Sequence, residues 1–354
     1  MTEKAMTAGT SGSGTEAAVG REDLRVGDQV RVRSREEILT TLDPNATVGN
    51  TVLMPEMLAF AGRTLPVDAV VHRTCDGNGS TNRDMTGTVH LRGARCDGSA
   101  HGGCQARCLL FWRQEWLEPG QVPENFVSAD DRAQDAWSDP VEDLPAMLLA
   151  ATRGEGDTDD QPVYSCQATQ IRRSTCLTSM RDPRLWFKDV RSRNATARTA
   201  VASYAVPAFN KWQLASRRWP GALRLRNGRT YPWPPVPTGE QRAYPPLDLQ
   251  PGELVEVKSR QEIESTLNAR NEVRGLSFAL EMIPYCGRRA RVLMRVERII
   301  DEQTGRMLKL RDCVVLDDVW CEGTFRMLCR RKIYSYWREA WLRRVGQDVG
   351  QDVG

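Results

Sequence analysis

Lysine and histidine are scarce. Six lysines leave arginine as 43 of the 49 basic residues, and only three histidines occur in 354 residues. So few histidines weigh against His-rich metal oxygenase sites. The arginine excess reflects either GC-rich codon usage or guanidinium forks placed for phosphate, carboxylate or nucleic acid. A formal net charge of only +3 weighs against a general nucleic-acid binder. No apolar run approaches the roughly 18 residues that span a bilayer, so no membrane partner is expected. The opening "MTEKAMTAGTSGSGTEAAVG" has no hydrophobic signal core, and the expectation is a cytoplasmic protein. Phosphate-loop, dinucleotide, serine-hydrolase and zincin signatures are all missing.

Cysteine, by contrast, is plentiful: ten residues, with no export signal to suggest a disulfide framework. Three of them fall in "CDGSAHGGCQARC", Cys96–Cys108, together with His101. The pattern C-x4-H-x2-C-x3-C offers three thiolates and an imidazole, the soft and borderline ligands that tetrahedral zinc takes. Glycines 98, 102 and 103 let the backbone fold tightly around an ion. The expected first site is therefore Cys96, His101, Cys104 and Cys108 around a structural zinc. A catalytic metal, or thiols buried as small hydrophobes, are the alternatives. Iron or an iron–sulfur cluster ranks behind zinc, and spacing alone does not separate them.

The same loop recurs. Shifting the sequence by 225 residues aligns 24–117 with 249–342 without a gap, and 28 of the 94 positions are identical. Cys96 falls on Cys321, Gly98 on Gly323, Cys104 on Cys329, and Trp112 and Trp116 on Trp337 and Trp341. Two matching segments imply a duplicated domain and not a solenoid. In each, a Gly turn leads into an alternating strand (Val30, Val32), then "SREE" or "SRQE", a capping box that starts a short helix. Tryptophans four apart beside arginines, in "CRRKIYSYWREAWLRRV", read as core packing ahead of single-strand nucleic-acid stacking.

The expected fold is α+β: two duplicated small SH3-like β-barrel domains flanking a helical insert. The boundaries read as a disordered tail 1–22, a first barrel 23–119 and an acidic linker 120–161. A helical insert 162–219, a Pro-rich connector 220–247, a second barrel 248–345 and a tail 346–354 follow. In the insert, Asp182 and Pro183 open one helix, and a second, from about Ala195, is expected to kink or break at Pro207.

Outside the first loop, Cys166 in "YSCQATQ" is a weak candidate nucleophile. It is also the expected partner of a second metal site with Cys313, Cys321 and Cys329, because Arg326 and Ile333 stand where the first segment has His101 and Cys108. His72 reads as an exposed strand residue or a base, and Cys75, Cys176 and Cys286 as packed thiols.

The motifs "SREEI", "EM…YCGR", "ID…TGRM", "YWREAWL" and "YSCQAT" resemble an uncharacterised family of bacterial proteins with duplicated SH3-like domains, found beside biosynthetic gene clusters. The resemblance implies a bacterial origin and a link to specialised metabolism, without an activity. Two functions are expected from these readings. One is a metal-stabilised tandem-barrel scaffold that binds a protein, peptide or carrier partner. The other is a metal- or cysteine-dependent enzyme with a small-molecule substrate between the repeats and the insert.

Overall fold

The computed structural model describes residues 24–76, 82–121, 144–177, 182, 184–231, 244–325 and 328–346. Both tails, most of the acidic linker, Pro183, the tip of the Asp76–Asp84 turn and the "PWPPVP" connector lie outside the described residues. The fold is mixed α+β and mostly antiparallel sheet.

In the first segment Val30 and Val32 are buried and Arg31 between them is exposed, so β1 (Gln29–Val32) lays one face on the core. Its sheet contains β2 (Thr64–Val70), β3 (Thr88–Leu91), β4 (Trp112–Arg113) and β5 (Leu117–Pro119), in the order β4-β3-β2-β1-β5. The second segment repeats it as β6 (Leu254–Val257), β7 (Arg289–Arg295), β8 (Cys313–Trp320), β9 (Tyr334–Arg338) and β10 (Leu342–Arg344), ordered β9-β8-β7-β6-β10. Val30 pairs with Leu65 and Val255 with Ala290; Val89 pairs with Trp112 and Val314 with Trp337. Even the irregularity in β2, between Val67 and Ala69, recurs between Val292 and Met294.

Local chemistry fixes the same ends in both segments. Helix α1 (Arg35–Thr40) is capped by Ser34, whose hydroxyl accepts from Glu37 N while the Glu37 carboxylate accepts from Ser34 N at 2.9 Å. Ser259 and Glu262 do the same at the matching short helix, Arg260–Glu264. A 3-10 turn precedes each last strand and carries Trp116 or Trp341 into the core. Each indole N–H donates at 3.1 Å to a threonine hydroxyl, Thr41 or Thr266. All four tryptophans of these motifs are fully buried, so they present no face on which a base could stack.

The region between the segments is not a separate helical body. Helix α2 (Ala146–Ala151) buries Leu148 in the first core. The Gln167 amide donates to Val52 O and Phe111 O and accepts from Phe111 N, and Cys176–Leu177 pairs as a strand with Asn82–Asp84. The Asp182 carboxylate accepts from Arg184 N at the start of α3 (Arg184–Arg191). Beyond it, Asn194 bonds both backbone groups of Val70, Asp189 pairs with buried Arg73, and Ser192 meets His72 at 3.1 Å. His72 is thus a part-buried contact with the insert and not an exposed strand residue.

Helix α4 (Ala197–Ser216) runs through Pro207 without a break. Proline removes one hydrogen bond of the ladder. The second half is held by tertiary bonds instead: Asn210 to Tyr231, Gln213 to Leu225 O and Arg229 O, and Arg217 to Gly228 O.

The two segments dock directly. Gln105 N donates to Arg298 O, and the Gln105 side-chain oxygen accepts from Glu297 N and Arg298 N. Lys332 pairs with Asp68 at 2.8 Å, and the Arg95 guanidinium lies over the Tyr334 ring. Tyr164 N donates to Gly305 O, which stitches the inter-segment chain to the hairpin formed by Arg298–Ile300 and Met307–Lys309.

Candidate metal centre

The loop from Cys96 to Cys108 is closed by Cys96 N donating to Cys108 O, and within it His101 N and Gly103 N donate to Gly98 O. Gly98 has φ +78°, and a Cβ there would lie 2.1 Å from Cys104 O. No L side chain fits. The second segment keeps the frame: Cys321 N donates to Ile333 O, and a Cβ on Gly323 would lie 2.2 Å from Cys329 O. The repeated cysteine–glycine spacing therefore encodes a backbone shape, within which side chains differ.

His101 is buried in this loop. Its Nδ1 lies 2.7 Å from Glu56 Oε1 and its Nε2 3.0 Å from Ser165 O. The ring thus bridges the Glu56 carboxyl group and the Ser165 carbonyl. Glu56 Oε1 also accepts from Ala100 N and, at 3.7 Å, from the Cys96 thiol. Burial raises the Glu56 pKa, but the His101 hydrogen bond and charge and the backbone donors outweigh it, holding the carboxyl below its ordinary value. Glu56, Cys96 and His101 bring one ligand atom each within 4.8 Å of the others, a buried group that could hold a metal ion. An ion bound there would take the place of the His101–Glu56 hydrogen bond.

Glu56 was absent from the sequence-derived site. Its signal was the identity of Glu56 with Glu281, both buried in 3-10 turns.

Beside this pair is a cavity of about 40 Å³, lined by Cys96, Cys104, Cys108 and Cys166, with His101 at its wall. The remaining wall is largely apolar, including Met54, Leu110, Phe111 and Ile300, with Arg331 from the second segment. Burial raises the pKa of Cys96, Cys104 and Cys166, opposed in part by the backbone of Gly98, Ala106 and Ala168 respectively. Cys104 Sγ accepts from Ile300 N at 3.3 Å. Backbone N–H dipoles aimed at sulfur favour thiolate. In their absence of charge compensation, burial wins: it pushes Cys108 up to about 12 and Cys166 up to about 11, and raises Cys96 and Cys104. These are proton-bearing thiols that a cation would deprotonate. A thiol raised in this way is also a poor nucleophile, which speaks against that role for Cys166.

Of the first expected set, Cys96 and His101 join Glu56 in the group that could hold a metal ion, and Cys96, His101, Cys104 and Cys108 all line one cavity. The second expected set is not brought together. Cys166 belongs to the first-segment cavity because Gln167 anchors its neighbourhood to Val52 and Phe111. Cys313 is buried with Val296 and Val315 in the second sheet. The buried Cys329 thiol hydrogen-bonds Cys75 of the first segment, and Cys321 is part-buried. No cysteine forms a disulfide among the described residues, and no three of these four, nor any three thiols of the cavity, bring their sulfurs within 4.8 Å of one another.

Comparison of the chain with family models, curated proteins and solved structures finds no match.

Proposed function

We propose that the protein is a tandem SH3-like scaffold whose two barrels are locked together by a thiolate-bound metal centre. The observation that carries this is the single cavity lined by four thiols from the first loop and the inter-segment chain, walled by Ile300 and Arg331 of the second segment. The N–H of Ile300 in the second segment, donated to Cys104 Sγ at 3.3 Å, supports metal binding over inert packing. The SH3-like assignment is supported by the five-strand order and the 3-10 turn before the last strand, present in both segments. Such a scaffold would bind a protein, peptide or carrier partner, and the family resemblance points to bacterial specialised metabolism.

Metal binding of this kind is coupled to local order. Stripping the metal with a chelator, followed by amide hydrogen exchange, tests the reading. Residues 96–108 and 298–300 should lose protection while both five-stranded sheets keep theirs. A protein that carries no metal, or one whose junction exchanges no faster without it, contradicts the proposal.

A second reading, a small-molecule enzyme, is favoured by an open cleft of about 940 Å³ that Asn50, Arg153, Tyr164, Arg172, Arg173 and Gln303 help to line. That volume is in the range of ligand sites. Its arginines already hold carboxylates, Arg153 with Asp157, Arg172 with Asp76 and Arg173 with Glu155, which leaves the scaffold reading ahead.

A further inference from the structure

We propose that the second half of α4 and the turns folded back on it, residues 209–231, form a binding surface for single-stranded nucleic acid. The small net charge of the chain hides a segregation. Between Asp189 and Glu240 the sequence carries nine basic residues and no acidic one, so the rest of the chain is net negative. Lys211, Arg217 and Arg218 are exposed along the end of α4. With Arg224, they form no ion pair among the described residues. Arginines elsewhere, such as Arg31, Arg274 and Arg344, are paired with carboxylates.

Aromatic rings stand among these cations. Trp212 and Trp219 are each 42% exposed and Tyr231 is 40% exposed, unlike the fully buried tryptophans of the two sheets. The Trp212 ring centre lies 5.7 Å from that of Phe209 and 6.0 Å from that of Trp219. Each exposed ring has a basic residue within two positions: Lys211, Arg218 and Arg229.

Tertiary bonds hold the surface in shape. Both ends of the Asn210 amide bond the Tyr231 backbone, and buried Gln213 donates to Leu225 O and Arg229 O. Arg217 Nε donates to Gly228 O at 3.0 Å, and Arg224 Nε to Trp219 O at 2.6 Å. Both arms are thus fixed by backbone carbonyls, while their terminal nitrogens have no protein partner among the described residues.

Exposed rings beside cations suit a single strand, whose free base faces stack and whose phosphates pair with the basic groups. A duplex hides those faces. An anionic membrane suits the surface less, because an interfacial helix gathers its apolar residues on one side. Exposed Trp212 and Leu214, two residues apart, lie on opposite sides of α4. A protein interface suits it less too, since the core of such an interface is depleted of charge, and here charge alternates with the rings.

The test is fluorescence anisotropy on the full chain with a labelled oligothymidylate of about 20 nucleotides, longer than one site of this kind. The strand should bind more tightly than a duplex of the same length. Trp212→Ala and Trp219→Ala should each weaken binding about tenfold, as loss of one stacked base does. Trp212→Phe, which keeps a ring, should retain most of the affinity. Replacing Lys211 and Arg218 together by alanine should make the slope of log affinity against log salt shallower by about 1.4. Leu308→Ala, at an exposed apolar residue of the second-segment hairpin, should bind as wild type. Circular dichroism checks folding, and Trp212→Leu or Trp219→Leu replaces an alanine variant that does not fold. Tryptophan variants that bind as wild type overturn the stacking surface, as does equal or tighter binding of the duplex. Binding to phosphatidylserine vesicles or polyglutamate without binding to the strand overturns it as well, and so does the absence of any binding.

Discussion

The N–H of Ile300 donates to the sulfur of Cys104 at 3.3 Å, across the junction between the two segments. Ile300 is the sequence counterpart of Cys75, and Cys104 that of Cys329. The reciprocal pair also meets, since Cys329 hydrogen-bonds Cys75. Residue i of one segment touches residue j of the other, and the converse holds, as at a two-fold interface within one chain. The cysteine loops are therefore the docking elements of both segments, and only the first, with three thiols of its own, shares a cavity with Cys166 of the inter-segment chain.

Glycine in these loops gives the first prediction. Gly98→Ala and Gly323→Ala each force a Cβ into the carbonyl of the next cysteine at a positive φ. Each should cost at least about 1–3 kcal/mol in urea unfolding. Gly98→Ala should also lose metal, whereas Gly323→Ala should keep it. Equal metal loss in both would mean that the second loop contributes to the centre.

The buried Glu56–His101 contact gives the second. Glu56→Gln disturbs the hydrogen bonds that Glu56 Oε1 makes with His101 and Ala100 N and should destabilise the fold by about 1–3 kcal/mol. Because Glu56 and His101 position the loop and the thiols bind the metal, protein that remains folded should retain wild-type metal content. Metal loss from folded Glu56→Gln would place the ion on the Glu56–Cys96–His101 group.

Much of this was legible in the sequence, and the limits have physical causes. The 225-residue offset located matching strands, capping boxes and buried tryptophans, because periodicity and caps are local properties. The Cys96–Cys108 loop was visible for the same reason. His101 was counted as a ligand from its place in that loop and falls in the group that could hold an ion, whereas only tertiary packing shows its neighbours there, Glu56 and Ser165. Cys166 was assigned to the second segment because that site lacked ligands. The contact deciding otherwise, Gln167 on Val52 and Phe111, links residues far apart in sequence. Pro207 shows propensity overridden, since side-chain bonds from Asn210, Gln213 and Arg217 carry the helix past it.

A pH dependence follows from His90. It is fully buried, with Nδ1 on Leu110 O, and desolvation lowers its pKa from 6.5 to about 4. The folded state keeps this ring neutral while the unfolded chain protonates it below pH 6.5. Its stability contribution is thus complete above that pH and is lost as pH falls toward 4, by about 3 kcal/mol. His90→Val, which installs the Val315 counterpart, should flatten the dependence of unfolding free energy over this window. An unchanged slope would show that other groups set it.

The central claim is that Cys166 completes a thiolate centre begun by Cys96, Cys104 and Cys108. The most direct measurement is total metal per chain in Cys166→Ala beside wild type and Cys176→Ala, a thiol exposed on its strand. The account predicts that the metal disappears in Cys166→Ala and is unchanged in Cys176→Ala, with both sheets folded. Full metal content in folded Cys166→Ala would contradict it.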